Sequence, residues 1–353
     1  MQKKLIALAV ASLVSSGAFA QSNVTIWGVV DLAIESGKYS DAAGNLTRMV
    51  PSGTTTNRLG FKGTEDLGNG LSANWVLETQ ANPDNGTQAA AQFWNRQAYV
   101  GLSGKTWGSV NMGRQYTPWF SSFVPSDVFY VAGAGSSYVL QVGDTRMNNA
   151  IRWDSVNMNG FSFAVMVGLG QDADGTGVEG TTNVPGVTNK KMGREHGLKI
   201  SYANGPINVN YGYDNQTTSV GTAGIGDDTR RNQLNGSYDF KVVKLGLGWN
   251  TAKKDGAQDD QVWTLTAVMP VMGKDLVKIG YTRLNNKLAG VVNGDARLIA
   301  IGYEHPMSKR TNLYATYAKM DNDAGAARTV LGGVGVAAGF DPSVFQVGLR
   351  HSF

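Results

Sequence analysis

Three histidines, His196, His305 and His351, are all the imidazole in the 353-residue chain, and cysteine is absent. No nucleophile elbow and no metal-ligand spacing accompanies them, so general-base, nucleophilic and metal-centred chemistry lack residues to carry them. Neither an enzyme nor a cofactor is expected. What the sequence offers instead is fixed charge inside short alternating stretches: Arg58 and Lys62 in "NRLGFKG", Arg96 in "NRQAYVGL", Arg146 and Arg152 in "DTRMNNAIRW". Period-two alternation gives a strand two unlike faces, so a cation within it is held at a fixed place on one face. The chemistry available is electrostatic, the sorting of ions by sign.

Such charges need a wall to stand on. Sixteen segments of about ten residues have strand character: 23–37, 57–65, 71–80, 92–103, 107–116, 149–156, 160–170, 194–204, 206–214, 229–240, 242–254, 260–271, 276–285, 296–306, 311–321 and 343–353. The links after even-numbered segments are tight, as in "DLGNG", "SGKT", "NMNG", "MGKD" and "PMSK", and those after odd-numbered ones are usually long. That alternation makes each strand antiparallel to the next, with turns at one end and loops at the other. An open sheet of this width has two exposed edges, whereas closure removes them. The expected fold is all-β, a 16-stranded antiparallel transmembrane β-barrel without a domain boundary. A secreted β-sandwich is the rival, but it gives no reason for loop lengths to alternate end by end.

The first twenty residues, "MQKKLIALAVASLVSSGAFA", join a basic start to an apolar core and a small-x-small ending, the layout of a signal peptide cleaved after Ala20. The expected domains are therefore a leader, 1–20, and a barrel, 21–353. Removing the leader takes Lys3 and Lys4 from 31 basic residues against 27 acidic ones, which leaves the chain near neutral and without a nucleic-acid footprint. No later run is long and apolar enough for a helical span. Glycine, at 46 residues, suits many strands with close backbone contacts.

Sixteen strands enclose a lumen too wide for side chains to fill, so the polar faces line water. Leu59 and Phe61 then face lipid while Arg58 and Lys62 face the lumen, and Ile151 and Trp153 face out while Arg152 and Asp154 face in. For Arg96 the pattern allows two arrangements: Arg96 inside with Tyr99 in the outer aromatic girdle, or the reverse. An arginine on lipid at the midplane costs about 2–4 kcal/mol, which favours Arg96 inside. Arg114 shares a face with Val110 and Met112 and ranks lower.

The longest link, 117–148, carries five aromatic residues among its first fourteen. That apolar load argues for a packed loop, folded into the barrel mouth with Asp127 facing a wall of arginines. An external loop packed on a neighbouring subunit is the alternative.

"NRLGFKGTEDLGNGLSANWVLE", "NRQAYVGLSGKTWGSVNMGRQYTP", "RMNNAIRWDS" and "FQVGLRHSF" resemble the general-diffusion porins of Gram-negative bacteria, over essentially all of 21–353. The resemblance implies an outer-membrane homotrimer, each barrel narrowed by an inward-folded third external loop, through which ions and small hydrophilic solutes diffuse passively. It places the basic side of the constriction on Arg58, Arg96 and Arg146, with Arg152 a close competitor to Arg146, and the loop side on Asp127. It also implies contact with outer-membrane lipid and lipopolysaccharide, and a C-terminal Phe353 read by the insertion machinery. Basic residues outnumber acids at such an eyelet, so the expected selectivity is a weak-to-moderate anion preference. A solute-specific channel or a barrel adhesin is the alternative. Specific channels usually fold several loops inward, and here only 117–148 has that character.

Overall fold

The computed structural model describes residues 23–40, 44–141, 143–170, 194–220, 226–330 and 334–353. The leader expected over 1–20 lies outside the described residues. All sixteen expected strands are present: β1 Asn23–Lys38, β2 Arg58–Gly68, β3 Leu71–Thr79, β4 Gln97–Gly104, β5 Gly108–Tyr116, β6 Arg146–Asp154, β7 Phe161–Leu169 and β8 Arg194–Asn204. There follow β9 Ile207–Val220, β10 Gly226–Asp239, β11 Lys244–Lys254, β12 Gln258–Val271, β13 Asp275–Asn286, β14 Ala296–Pro306, β15 Thr311–Asn322 and β16 Ser343–Ser352. Each pairs antiparallel with the next, and β1 closes the ring on β16 from Val29 opposite Ser352 to Lys38 opposite Ser343. Every backbone edge is thereby paired, which hydrocarbon requires of a spanning sheet.

Two elements of the long loops escaped the sequence reading. Asn45–Pro51 forms a short strand that continues the pairing of β1 from Leu32 to Lys38, beyond the stretch that β2 covers, and Ala81–Asn82 pairs with Thr87–Gln88 in a small hairpin. Both begin within loops whose polarity hides any alternation.

The two faces separate cleanly along β14, where Ala296, Leu298, Ala300, Gly302 and Glu304 are buried and Arg297, Ile299, Ile301, Tyr303 and His305 are exposed. Ile34, Leu59, Val100, Ile151, Leu265 and Leu349 continue the exposed apolar band around the barrel. The inner face is less uniformly polar than expected. Leu284, Leu298, Ala300, Met320 and Val344 point inward from β13 to β16 and are buried under two loops. Phe129, Ala134 and Leu140 cover them from 117–145, while Ala326, Val330, Val334 and Val336 do so from 323–342. A loop inside a wet lumen needs an apolar seat, and this wall supplies one.

Candidate functional site

The loop after β5 begins with a short helix, α1, Pro118–Phe123. Thr117 caps it, its Oγ1 accepting from the Phe120 N–H at 3.1 Å, and proline at N1 needs no amide partner. Trp119, Phe120 and Phe123 are buried against Tyr116, Val131 and Tyr138. The helix lies on the inner surface of the barrel. Gln233 of β10 donates its amide to the Trp119 carbonyl and to Ser122 Oγ, and a side chain at Gly212 of β9 would collide with Ser122. The loop therefore folds into the barrel, not outward onto a neighbour.

Its limbs are held from two sides. At the root, the guanidinium of Arg152 clasps Asp154 at 2.6 and 2.8 Å and donates to the Tyr116 carbonyl at 2.7 Å and Ser121 Oγ at 3.1 Å. At the tip, Tyr130 and Val131 both have positive φ, 61° and 70°, which is strained for a β-branched residue. Asp127 holds that turn: its carboxylate accepts from the Phe129 N–H at 3.3 Å, the Val131 N–H, and Ser136 Oγ at 2.8 Å. Burial pushes the Asp127 carboxyl up from its ordinary pKa, against the pull of these three donors. The expectation that Asp127 faces the arginines is corrected. Buried inside the loop, the carboxylate is taken up by the donors nearest to it.

The strained turn presents Tyr130 to the far wall. Lys278 Nζ of β13 lies 3.9 Å from the ring centroid and the Arg350 guanidinium of β16 lies 4.6 Å from it. Glu304 of β14 pairs with Lys278 at 2.5 Å and Arg350 at 2.8 Å, and accepts from Asn312 at 2.8 Å and Tyr130 at 3.3 Å. Beside it, Phe129 fills a notch over Gly280 and Gly302, where a Cβ would stand about 3 Å from the ring.

The opposite wall carries the cations singled out by sequence. Tyr116 and Arg146 are register partners across β5 and β6. The guanidinium lies 4.6 Å from the ring centroid and its Nη2 donates to Tyr116 Oη at 3.2 Å. Arg96 donates to the same oxygen and, through Nε, to Glu78 Oε1 at 2.7 Å, while Arg58 Nη1 stands 3.8 Å from that carboxylate oxygen. Arg96 and Arg146 thus share the phenol, Arg58 and Arg96 share the buried carboxylate, and with three guanidinium groups beside one carboxylate positive charge is left over. Arg58 also donates to Thr55 Oγ1 at 2.8 Å and the Thr56 carbonyl at 3.0 Å, which fixes its direction.

Of the five cations expected, the structure gathers Arg58, Arg96 and Arg146 around Tyr116. It separates Arg152, which fastens the loop, and Lys62, which stays exposed on β2 with no hydrogen bond or ion pair to the cluster among the described residues. The choice posed between Arg96 and Tyr99 dissolves. The strand starts at Gln97, so Arg96 precedes the alternation, and Tyr99 shares the inner face with Gln97 while Val100 and Leu102 point out. Tyr116 and Glu78 were missed. Past a register shift opposite Gly113–Gln115, where β6 carries one extra residue, Tyr116 meets Arg96 and Arg146 inside, not on the face that Val110 and Met112 predict for it. Arg114 remains apart, bonded to the Asn95 carbonyl and Asn148. Glu78 was readable, because it alternates with Val76 and Asn74 and lies opposite Gly60. Phe353 exchanges backbone hydrogen bonds of 3.1 Å with Gly28, its ring where a Gly28 side chain would stand.

A closed barrel with an apolar outer band, a polar wall and a loop folded across its interior defines a water-filled channel of the outer-membrane type. The chain belongs to the Gram-negative porin family, whose pattern matches residues 7–325. It is 35% identical to outer membrane porin protein 32 of Delftia acidovorans over the full length of both chains. It is 30% identical to an outer membrane porin of Bordetella pertussis over 95% of this chain and 99% of that one. The solved anion-selective porin from Comamonas acidovorans superposes with a TM-score of 0.79 at 31% identity, covering 94% of this chain and all of the other. The protein is therefore an outer-membrane porin, a passive diffusion channel and not an enzyme.

Proposed function

We propose that the channel passes small anions in preference to cations, weakly to moderately, and that Arg58, Arg96 and Arg146 form the basic side of its constriction. The observation that carries this is three guanidinium groups around Tyr116 against the single carboxylate of Glu78. Arg58 is the most open of the pairs to Glu78, its side chain 21% exposed against 5% for Arg96, so it meets passing ions while Arg96 supports the field from behind. Charges in a gap narrower than the Debye length, about 8 Å at physiological salt, are only partly screened. Lys62 adds positive charge along β2, whereas Arg152 contributes little, its charge being matched by Asp154. The similarity to a solved porin named as anion-selective supports the same reading. The test is the reversal potential across a planar bilayer in a potassium chloride gradient. An anion-signed potential is expected, and a cation-signed one overturns the proposal.

The same reading includes a homotrimer, cleavage of the leader after Ala20, contact with lipid and lipopolysaccharide, and recognition of Phe353 by the insertion machinery. Migration on a denaturing gel, boiled against unboiled, tests the oligomer. A second reading, a solute-specific channel, has one observation in its favour: Ala326, Val330, Val334 and Val336, from a second loop, pack on the inner wall beside Phe129, Ala134 and Leu140. Saturable block of single-channel current by a sugar or by phosphate separates the two readings.

A further inference from the structure

The pairing of β1 with the chain that follows it is interrupted at one place. Pro51 lies opposite Leu32 and Arg58 lies opposite Val29, so residues 52–57 leave the sheet between two stretches that pair with it. Asp31 closes the gap. Its carbonyl accepts from the Ser52 N–H at 2.8 Å, and its own N–H donates to Asn57 Oδ1, a side chain standing in for the missing strand. Asn57 is tied back to Ser52, its N–H and Nδ2 donating to Ser52 Oγ at 2.9 and 3.1 Å. The excursion is thus a strap with a closed neck, and Ser52 takes a positive φ of 64° to start it.

The strap lies on the inner wall. Asp31 Oδ2 accepts from the Thr54 N–H at 3.0 Å, Thr54 Oγ1 at 2.6 Å and the Thr55 N–H at 2.7 Å, while Oδ1 accepts from Tyr314 Oη of β15. Asp31 is fully buried and makes no ion pair among the described residues, so these neutral donors alone take up its charge. Each donor lost would leave buried charge unpaired, which is why such a carboxylate grips its partners. Gly53 packs so closely that a Cβ would collide with Tyr314 and Ala33, and a Cβ on Gly133 of loop 117–145 would stand 3.3 Å from Thr54 Cα.

What the strap holds is Arg58. Thr55 Oγ1 and the Thr56 carbonyl accept from it at 2.8 and 3.0 Å, whereas Glu78 stands 3.8 Å away, beyond hydrogen-bond reach. Glu78 already accepts from Arg96 at 2.7 Å and from Gln97 at 2.9 Å. We infer that residues 52–57, anchored on Asp31, position Arg58 in the constriction by keeping its guanidinium off Glu78. Without the Thr55 acceptor the guanidinium closes on Glu78 into a direct ion pair, and its charge is matched before it can act on a passing ion. Asp31 and Thr55 are positioning residues, acting on the solute only through Arg58. That role presupposes Arg58 in the constriction, and the two are tested apart.

The experiment is the reversal potential of the refolded full-length porin in a potassium chloride gradient, with thermal unfolding measured alongside. Arg58→Gln is expected to lower the chloride-to-potassium permeability ratio about threefold, the effect of one partly screened charge close to the ion path. No change there overturns the placement of Arg58, and the strap's role with it. Thr55→Val removes the hydroxyl acceptor and keeps the N–H bonded to Asp31. It is expected to give most of the same fall, with Thr55→Ser restoring the wild-type ratio. A fall in Arg58→Gln with none in Thr55→Val overturns the strap's role and leaves Arg58 where it is. So does a Thr55→Val channel that loses only thermal stability. Thr55→Val combined with Arg58→Gln is expected to match Arg58→Gln alone, and additive falls overturn action through Arg58. Asp31→Asn tests the anchor by sign, since losing a negative charge raises the anion preference while releasing Arg58 lowers it. A fall is expected, and a rise or a wild-type ratio overturns the anchor. Should that variant not fold, Thr55→Val carries the test, because it leaves every bond to Asp31 in place.

Discussion

Two walls of the lumen use the same parts to opposite effect. Around Tyr116, three guanidinium groups stand beside one carboxylate, which pairs with Arg58 and Arg96 while Arg146 lies on the ring. Around Tyr130, Lys278 and Arg350 share one carboxylate too, but Glu304 bonds both closely and Tyr130 covers both cations. Lys278 is 7% exposed and Arg350 13%, so the second cluster is a dry fastening for the loop tip, while the first keeps charge in reach of water. Residue type does not distinguish a selectivity element from a clamp. The count of counter-charges and the access of solvent do.

The comparison breaks most visibly if the open wall is inverted. Replacing Arg58 and Arg146 by glutamate should turn the anion preference into a cation preference. A unit charge about 4 Å from an ion in water is worth about 1 kcal/mol, and two are reversed. Bilayer reversal potentials would show the change of sign, and an unchanged sign would mean that other residues set the field. Next in size, Phe129→Ala empties the notch over Gly280 and Gly302 and removes about 3 kcal/mol of packing from the loop tip. Single-channel conductance should rise and fluctuate. A steady, unaltered current would show that the root clamp at Arg152 suffices.

A smaller effect is expected of Lys278→Gln. Because Glu304 matches that charge at close range, the reversal potential should move less than in Arg146→Gln, while thermal stability drops by about 1–3 kcal/mol as a buried carboxylate loses its cation. Equal shifts in the two variants would erase the distinction between the walls. Smallest of all, Asp127→Asn should leave selectivity where it is, since that carboxylate faces the loop's own amides. A clear gain in anion preference would return Asp127 to the lumen.

The sequence made the barrel legible because period two and loop length are local signals, and sixteen strands repeat them. Arg58 was placed inward by the same alternation, Arg96 by the cost of a charge on lipid, and Arg146 only by the family resemblance. What stayed hidden depends on contacts between distant parts. Tyr116 was masked by a register shift at the end of β5, and Asp127 by a turn whose donors come from two to nine positions on. The inward packing of Ala326, Val330, Val334 and Val336 had a readable sign in the apolar, glycine-rich run "AARTVLGGVGVAAGF", but a run of that kind does not say which wall it will cover.

The seam between β1 and β16 has a consequence for the order of events in the life of the chain. Its partners, such as Val29 and Ser352, are separated by almost the whole sequence, so a ribosome delivers the second long after the first. Until Phe353 meets Gly28, one full edge of β1 carries bare amides and carbonyls that hydrocarbon will not accept. Strand-by-strand entry into the bilayer during synthesis is closed to such a topology. Closure waits on the last strand, which makes residues 343–353 the licence for all the others. Deleting 343–353 should yield chains that never acquire heat-sensitive gel mobility, however well the first fifteen strands could pair.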